Sequence, residues 1–179
     1  MKKTYVTADL HFGHANIMKF NPATRQYTDV THMNESMVAE RNKTVNPDDL
    51  AYILGDIAFC SAAKAVAYLH RLNGRKVLIE GNHDHKLVQD KAFRDCFESI
   101  HTYLELNYTG QMICMFHYRI AEWNRGHHGS MHLYGHQHGS GGATGNRSMD
   151  VGMDATGNIV SNLDDIVAQL KKFENIGRH

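Results

Sequence analysis

Three apolar runs, each broken off by a glycine or by a carboxylate or carboxamide side chain, constrain this chain more than anything else in it. Tyr5-Val6-Thr7-Ala8 stops at Asp9, Leu50 to Leu54 stops at Gly55-Asp56, and Arg75 to Glu80 stops at Gly81-Asn82. Two helical stretches separate them. Met33 to Val45 carries Met33, Met37, Val38 and Arg41 near one face and is stopped by Asn46-Pro47. Ala62 to Leu72 is alanine-rich and ends at Asn73-Gly74. Strand–helix–strand–helix–strand predicts an α/β layered fold. Ligands in such folds collect beyond the carboxyl ends of the strands. Further on, Ser99 to Leu106 and Gln111 to Phe116 read as two strands joined through Asn107–Gly110, and Met131 to Tyr134 as a short strand. Leu163 to Phe173 reads as a closing helix with Asn162 as its N-cap. The glycine-rich stretch from Gly139 to Gly145 has no strand–loop–helix frame and no lysine–hydroxyl pair, so it reads as a surface loop. At 179 residues, with neither linker nor repeat, the chain is expected to form one domain over 1–179.

Lysine plus arginine and aspartate plus glutamate both number 19, so the formal charge is zero. That balance argues against a chain-wide basic stripe and hence against long duplex nucleic acid as a partner. No stretch approaches the roughly 18 apolar residues of a membrane span. Cys60, Cys96 and Cys114 form no C-x-x-C pair, which excludes a zinc ribbon and a disulfide framework. Together with an N-terminus lacking an apolar signal core, this leads to the expectation of a cytoplasmic protein. Histidine is in excess, at 14 residues.

Asp9, Asp56, Asn82, His117 and His136 each lie just beyond an expected strand. They belong to the segments Asp9-Leu10-His11, Gly55-Asp56, Gly81-Asn82-His83-Asp84, Phe116-His117 and Gly135-His136-Gln137-His138. The donors are carboxylate, carboxamide and imidazole, with no thiolate, which suits Mn, Fe, Ni or Zn as divalent ions. In an extended segment residues i and i+2 point the same way, so both ends of D-x-H and of H-x-H are expected to face one ion. The inventory exceeds what one ion needs, and Asp56 is the natural shared carboxylate. Two ions roughly 3.5–4 Å apart can hold an in-line phosphoryl displacement and lower the pKa of a bridging water, whose hydroxide would attack.

Taken in order, these segments resemble the calcineurin-like metallophosphoesterase superfamily over about residues 5–155. Asp9-Leu10-His11-Phe12-Gly13-His14 and His117-Tyr118 are similar to its small bacterial and phage phosphoesterases. The resemblance implies a β-sandwich flanked by helices and two divalent ions, manganese foremost. Asp9, His11, Asp56 and His138 would hold one ion, and Asp56, Asn82, His117 and His136 the other. It further implies that His83 faces the scissile phosphate and that Asp84 orients His83 by a hydrogen bond. Phe116 stands where many members have glycine, and the short gaps between motifs leave no room for a cap. A small phosphate ester or nucleotide is the expected substrate, a diester ahead of a monoester, with an inactive metallated scaffold as the rival reading. His14, Arg119 and Arg125 are candidates for substrate contact, as are Asn16, Lys19 and Arg25. Trp123 reads as a packing residue, and Asp150 and Asp154 as local, having no histidine partner beside them. His127, His128 and His132 are expected to line the site. The oligomeric state is left open by these residues.

Overall fold

The computed structural model describes residues 2–142 and 146–175; positions 143–145 of the expected glycine-rich loop lie outside the described residues. Four strands, β1 (Thr4–Thr7), β2 (Leu50–Ile53), β3 (Arg75–Ile79) and β4 (Ser99–His101), run parallel in the order β4-β3-β2-β1. A second sheet holds β5 (Tyr103–Tyr108), β6 (Gln111–Phe116), β7 (Met131–Tyr134) and β8 (Ser148–Asp150). There β5 and β6 are antiparallel, and β6, β7 and β8 are parallel. The short β9 (Ser161–Asn162) closes the first sheet antiparallel to β1. Helices α1 (Ile17–Phe20), α2 (Val30–Thr44), α3 (Ala62–Arg71), α4 (Lys91–Arg94), α5 (Met153–Thr156) and α6 (Leu163–Leu170) complete a mixed α/β architecture of two sheets flanked by helices.

Strand alternation divides the core. Val6, Ala8, Tyr52, Leu54, Val77 and Ile79 pack with Ile113, Met115, Met131 and Leu133 of the second sheet, and Leu163, Ile166 and Leu170 of α6 join them. The opposite face offers Ile53 and Leu78 to Met33, Met37 and Val38 of α2 and to Ala65 and Leu69 of α3. The first sheet is thus buried on both faces, which is why its strands read as continuous apolar runs.

The expected strand Ser99–Leu106 is in fact two strands in different sheets. Ile100 packs into the α2/α3 layer, whereas Leu104 and Leu106 pack between the sheets. Thr102 is where the chain crosses over, and only the competition between β3 and β6 for partners decides it. The hairpin after it holds: Thr109 and Gly110 have φ of 49° and 85°, both left-handed, as a two-residue turn matched to strand twist requires. Helix α2 starts three residues before Met33, where the Asp29 carboxylate accepts from His32 N at 2.8 Å. Asn162 caps α6 as expected, accepting from Asp164 N at 2.8 Å, although the helix ends at Leu170 and not Phe173.

Part of the histidine excess is structural. His132, on β7, is fully buried; its Nδ1 donates to the Cys114 carbonyl at 3.2 Å and its Nε2 accepts from Ile120 N at 3.3 Å. It therefore belongs to the core and does not line the site. The His127 and His128 rings lie against each other at a 45° tilt, 4.1 Å between ring centroids, on an exposed 3₁₀ turn. Trp123 packs over the His132 ring as a buried residue, its Nε1 donating to the Ser130 carbonyl at 3.2 Å. Burial lowers the His132 pKa to about 4. The unfolded ring takes a proton near pH 6.5, so its contribution to stability is complete above that pH and lost as pH falls towards 4. The shift corresponds to about 3 kcal/mol. Stability curves of the protein and of His132→Gln are expected to converge in slope only above pH 6.5. Parallel curves down to pH 4 would mean that the folded ring protonates freely.

Candidate metal centre

The loops after β1, β2, β3, β6 and β7 meet at the carboxyl ends of their strands. Backbone bonds continue the β1–β2 ladder into the loops, with Asp9 N donating to Gly55 O and His11 N to Asp56 O, both at 3.0 Å. Gly135 N donates to His117 O at 2.9 Å, tying the β7 loop to β6. This convergence brings Asp9, His11 and His138 into one group and Asp56, His117 and His136 into a second, the ligand atoms of each group lying within 4.8 Å of one another. Both groups could hold a metal ion.

Asp56 stands between them. Its Oδ2 is 3.7 Å from His11 Nε2 and its Oδ1 is 3.6 Å from His117 Nε2. Asn82 joins the second group, its Oδ1 3.0 Å from His117 Nε2. The donor set fits a divalent cation. Asp9 Oδ1 and His11 Nε2 are buried without a hydrogen-bond partner, an arrangement that costs free energy unless a cation fills the gap. His117 donates Nδ1–H to the Leu54 carbonyl at 2.7 Å, and His138 donates Nδ1–H to Asp154 Oδ2 at 2.7 Å. Each ring so held turns the Nε2 lone pair inward, the usual device for a ligating histidine. Burial raises the Asp9 carboxyl well above its ordinary value and drives His11 down to about 2, with His138 and Arg25 adding to the effect on His11. Burial thus disfavours both a carboxylate at Asp9 and an imidazolium at His11.

The loops are not extended, contrary to the i, i+2 expectation. Asp9, His11, Asp56, His136 and His138 have φ of 57°, 53°, 53°, 69° and 47°. Left-handed backbone at non-glycine residues is strained and gathers at functional sites. Asp9 and His11 of D-x-H still reach one group, through left-handed residues and not through strand pleating, whereas His136 and His138 of H-x-H part to different groups and do not face one ion.

The remaining site candidates divide. His83 lies over the site with its side chain 44% exposed and its Nε2 3.9 Å from Asp56 Oδ2. Asp84 does not orient the His83 ring. Its buried carboxylate accepts from Asp56 N at 2.8 Å, Ile57 N at 2.9 Å and Gly81 N at 3.0 Å, so it pins two loop backbones instead. Phe59 is what packs on His83, with ring centroids 4.3 Å apart. His14 Nδ1 is 3.2 Å from His11 Nδ1 and its ring stacks on Phe59 at 4.0 Å. Arg119 donates to the Gly141 carbonyl at 3.5 Å and Arg125 is exposed beside the 3₁₀ turn; among the described residues neither hydrogen-bonds to a member of the two groups.

Asp154 and Arg25 reverse their expectations. Asp154 has a histidine partner in His138, and Arg25 is a buried residue ion-paired to Asp154 at 2.7 Å. No signal in the sequence marks either, since 129 residues separate them.

No protein-family model matches the chain. Uncharacterized protein MJ1445 of Methanocaldococcus jannaschii is 33% identical over 143 residues, spanning 74% of this chain and 73% of that protein. The gene 66 protein of Mycobacterium phage L5 is 28% identical over 210 residues, spanning 98% of this chain and 99% of that protein. Among solved structures, the protein of unknown function AQ665 from Aquifex aeolicus aligns with a TM-score of 0.73 and 20% identity, over 94% of this chain and 100% of that one. That likeness shows the fold alone. Pseudomonas putida nuclease MPE aligns with a TM-score of 0.48 and 19% identity, over 76% of this chain and 61% of that one, too slight a likeness to carry fold or function. Among the described residues no helix is long and apolar enough to cross a membrane.

Proposed function

Since the chain belongs to the family of uncharacterized protein MJ1445 from Methanocaldococcus jannaschii, a name that assigns no reaction, we propose its function from the site: a metal-dependent phosphoesterase of the calcineurin-like type. The observation that carries this reading is the pair of ligand groups with Asp56, a member of the second, standing between them. Asp9, His11, Asp56 and His138 would hold one divalent ion, and Asp56, Asn82, His117 and His136 the other. Two such ions, when bound, supply Lewis acidity to the phosphoryl oxygens and an activated water for in-line attack. Oxygen and imidazole donors favour manganese, with iron, nickel or zinc as alternatives.

The chain's own residues divide the remaining work. His83, exposed above Asp56, donates a proton to a phosphoryl or leaving-group oxygen. Its ring is held by Phe59, and its backbone N–H is held by Asp56 Oδ1 at 3.0 Å. Asp84 acts at one remove, keeping the Asp56 and Gly81 backbones in place. A cleft of about 600 Å³ runs beside His83, lined by Phe59, Cys60, Asn82, His85 and Lys86. It leaves room for an ester arm, and with Asn82, His83 and His136 exposed the site is open enough for both arms of a phosphodiester. A nucleotide or other small diester is the substrate class proposed.

Activity towards bis-p-nitrophenyl phosphate is expected to vanish on chelation and return with Mn²⁺, and to exceed that towards the monoester. Activity indifferent to chelators would refute the reading. His83→Ala is expected to lower kcat by roughly 10²–10⁴-fold, the range for a general acid, with both ions retained. An unchanged kcat would remove His83 from the reaction.

A further inference from the structure

We propose that Arg25 and Asp154 form a buried clamp that positions His138 and the Asp9 loop for the first metal ion. This rests on the two-ion reading above.

The Asp154 carboxylate is saturated by donors. Oδ1 accepts from Arg25 Nε at 2.7 Å and Thr24 Oγ1 at 2.6 Å; Oδ2 accepts from Arg25 Nη2 at 2.8 Å and His138 Nδ1 at 2.7 Å. The guanidinium then reaches past the carboxylate, with Nη2 donating to the Asp9 carbonyl at 2.6 Å and Nη1 to the Leu10 carbonyl at 3.0 Å. One planar cation therefore binds the loop carrying Asp9 and His11 and, through Asp154, the loop carrying His138. Those three residues make up the first ligand group.

Two features argue that the clamp serves the metal site beyond holding the fold. Burying an arginine at 1% exposure is costly, and a well-packed apolar pair would join α5 to the first loop as well. The clamp also ends on the histidine atom that selects which ring nitrogen faces the ion. Asp9 and His138 both have left-handed φ, a geometry that persists only where surrounding contacts over-determine it. Among the described residues no such carboxylate holds the histidines of the second ligand group from behind: His117 is held by the Leu54 carbonyl, and the His136 ring packs on the His117 and Tyr118 rings.

Arg25 and Asp154 are thus positioning residues, and the discriminating measurement is metal affinity. Mn²⁺ titration of the full chain by isothermal calorimetry is expected to give two ions per chain. In Asp154→Asn, an isosteric change, and in Arg25→Lys, affinity at one position is expected to fall about 10–100-fold, the other remaining within twofold. In a His138→Ala background, Asp154→Asn is expected to lower Mn²⁺ affinity by a smaller factor than in the wild type, since only its route through Arg25 to the Asp9 loop remains. Melting of the metal-free variants separates the alternatives. Lower stability with both affinities unchanged would overturn the clamp while leaving the phosphoesterase reading intact. Equal loss at both positions, or additive loss in the double variant, would also overturn it. A wild-type chain that takes up none of Mn²⁺, Fe²⁺, Ni²⁺ or Zn²⁺ would overturn both. Should both single variants fold poorly, Thr24→Val removes one hydroxyl donor to Asp154 and is expected to weaken the same position by a smaller factor; no change there would count against the clamp.

Discussion

Asp56→Asn is expected to deprive the chain of both metal ions at once while leaving the metal-free fold as stable as before, or more so. The two carboxylate oxygens face different groups, Oδ1 at 3.6 Å from His117 Nε2 and Oδ2 at 3.7 Å from His11 Nε2. A carboxamide keeps one acceptor and turns a donor on the other group, where it opposes a cation. Metal affinity should fall by more than about 100-fold, the upper end for groups that only support a ligand, and turnover with it. Stability has the opposite sign. Buried Asp9 is raised well above its ordinary value chiefly by burial, and the neighbouring Asp56 charge raises it further. Removing that charge relieves a like-charge repulsion between two buried carboxyl groups of the site. Metal content by elemental analysis and melting in chelator test the two halves. Two ions retained by Asp56→Asn would refute the shared-carboxylate geometry, and a large drop in metal-free stability would refute the electrostatic argument.

Gly81→Ala is expected to cost about 3 kcal/mol or more, at the upper end for overpacking, although it adds only a methyl. A Cβ at Gly81 would lie 2.4 Å from Asp56 Oδ1, 2.6 Å from Asp56 N and 3.0 Å from Gly55 Cα. These neighbours cannot yield cheaply, because Asp84 holds the Asp56 and Gly81 amides on one carboxylate oxygen. Gly55 meets the same crossing from the other side, where a Cβ would sit 2.5 Å from His117 Nδ1 and 2.6 Å from Gly81 Cα. Gly110 is the control. It has φ of +85° but nothing within 4 Å of an added Cβ, so Gly110→Ala should cost only the left-handed strain of about 1–2 kcal/mol. Urea denaturation measures both. A Gly81→Ala loss no larger than that of Gly110→Ala would mean that the two loops can part without penalty.

Much of this site was legible before the fold. The strands β1, β2 and β3 were readable because both faces of their sheet are buried, so apolar runs appear without any knowledge of partners. The donors that end them were readable because strand-to-loop junctions follow directly from those runs. The failures share one cause. Splitting Ser99–Leu106 at Thr102 depends on β3 and β6 offering edges to the same stretch. The resemblance implies that Asp84 orients His83, yet its carboxylate is taken by amides that include Asp56 and Ile57, 28 and 27 residues away. Asp154 lacked a histidine within its own segment and found one 16 residues back.

Residue order alone specified the chemical inventory: carboxylates, a carboxamide and imidazoles without thiolates, set at the ends of predicted strands. It did so because side-chain chemistry and hydrophobic periodicity are local properties. How that inventory is shared out came from packing in three dimensions. The division into two groups, the position of Asp56 between them and the ring nitrogen that His117 and His138 each turn inward all depend on buried hydrogen-bond partners. The Leu54 carbonyl, 63 residues from His117, and the Asp154 carboxylate held by Arg25 are such partners. A buried polar atom bonds to whatever the fold brings within about 3 Å, and chain order does not say what that will be.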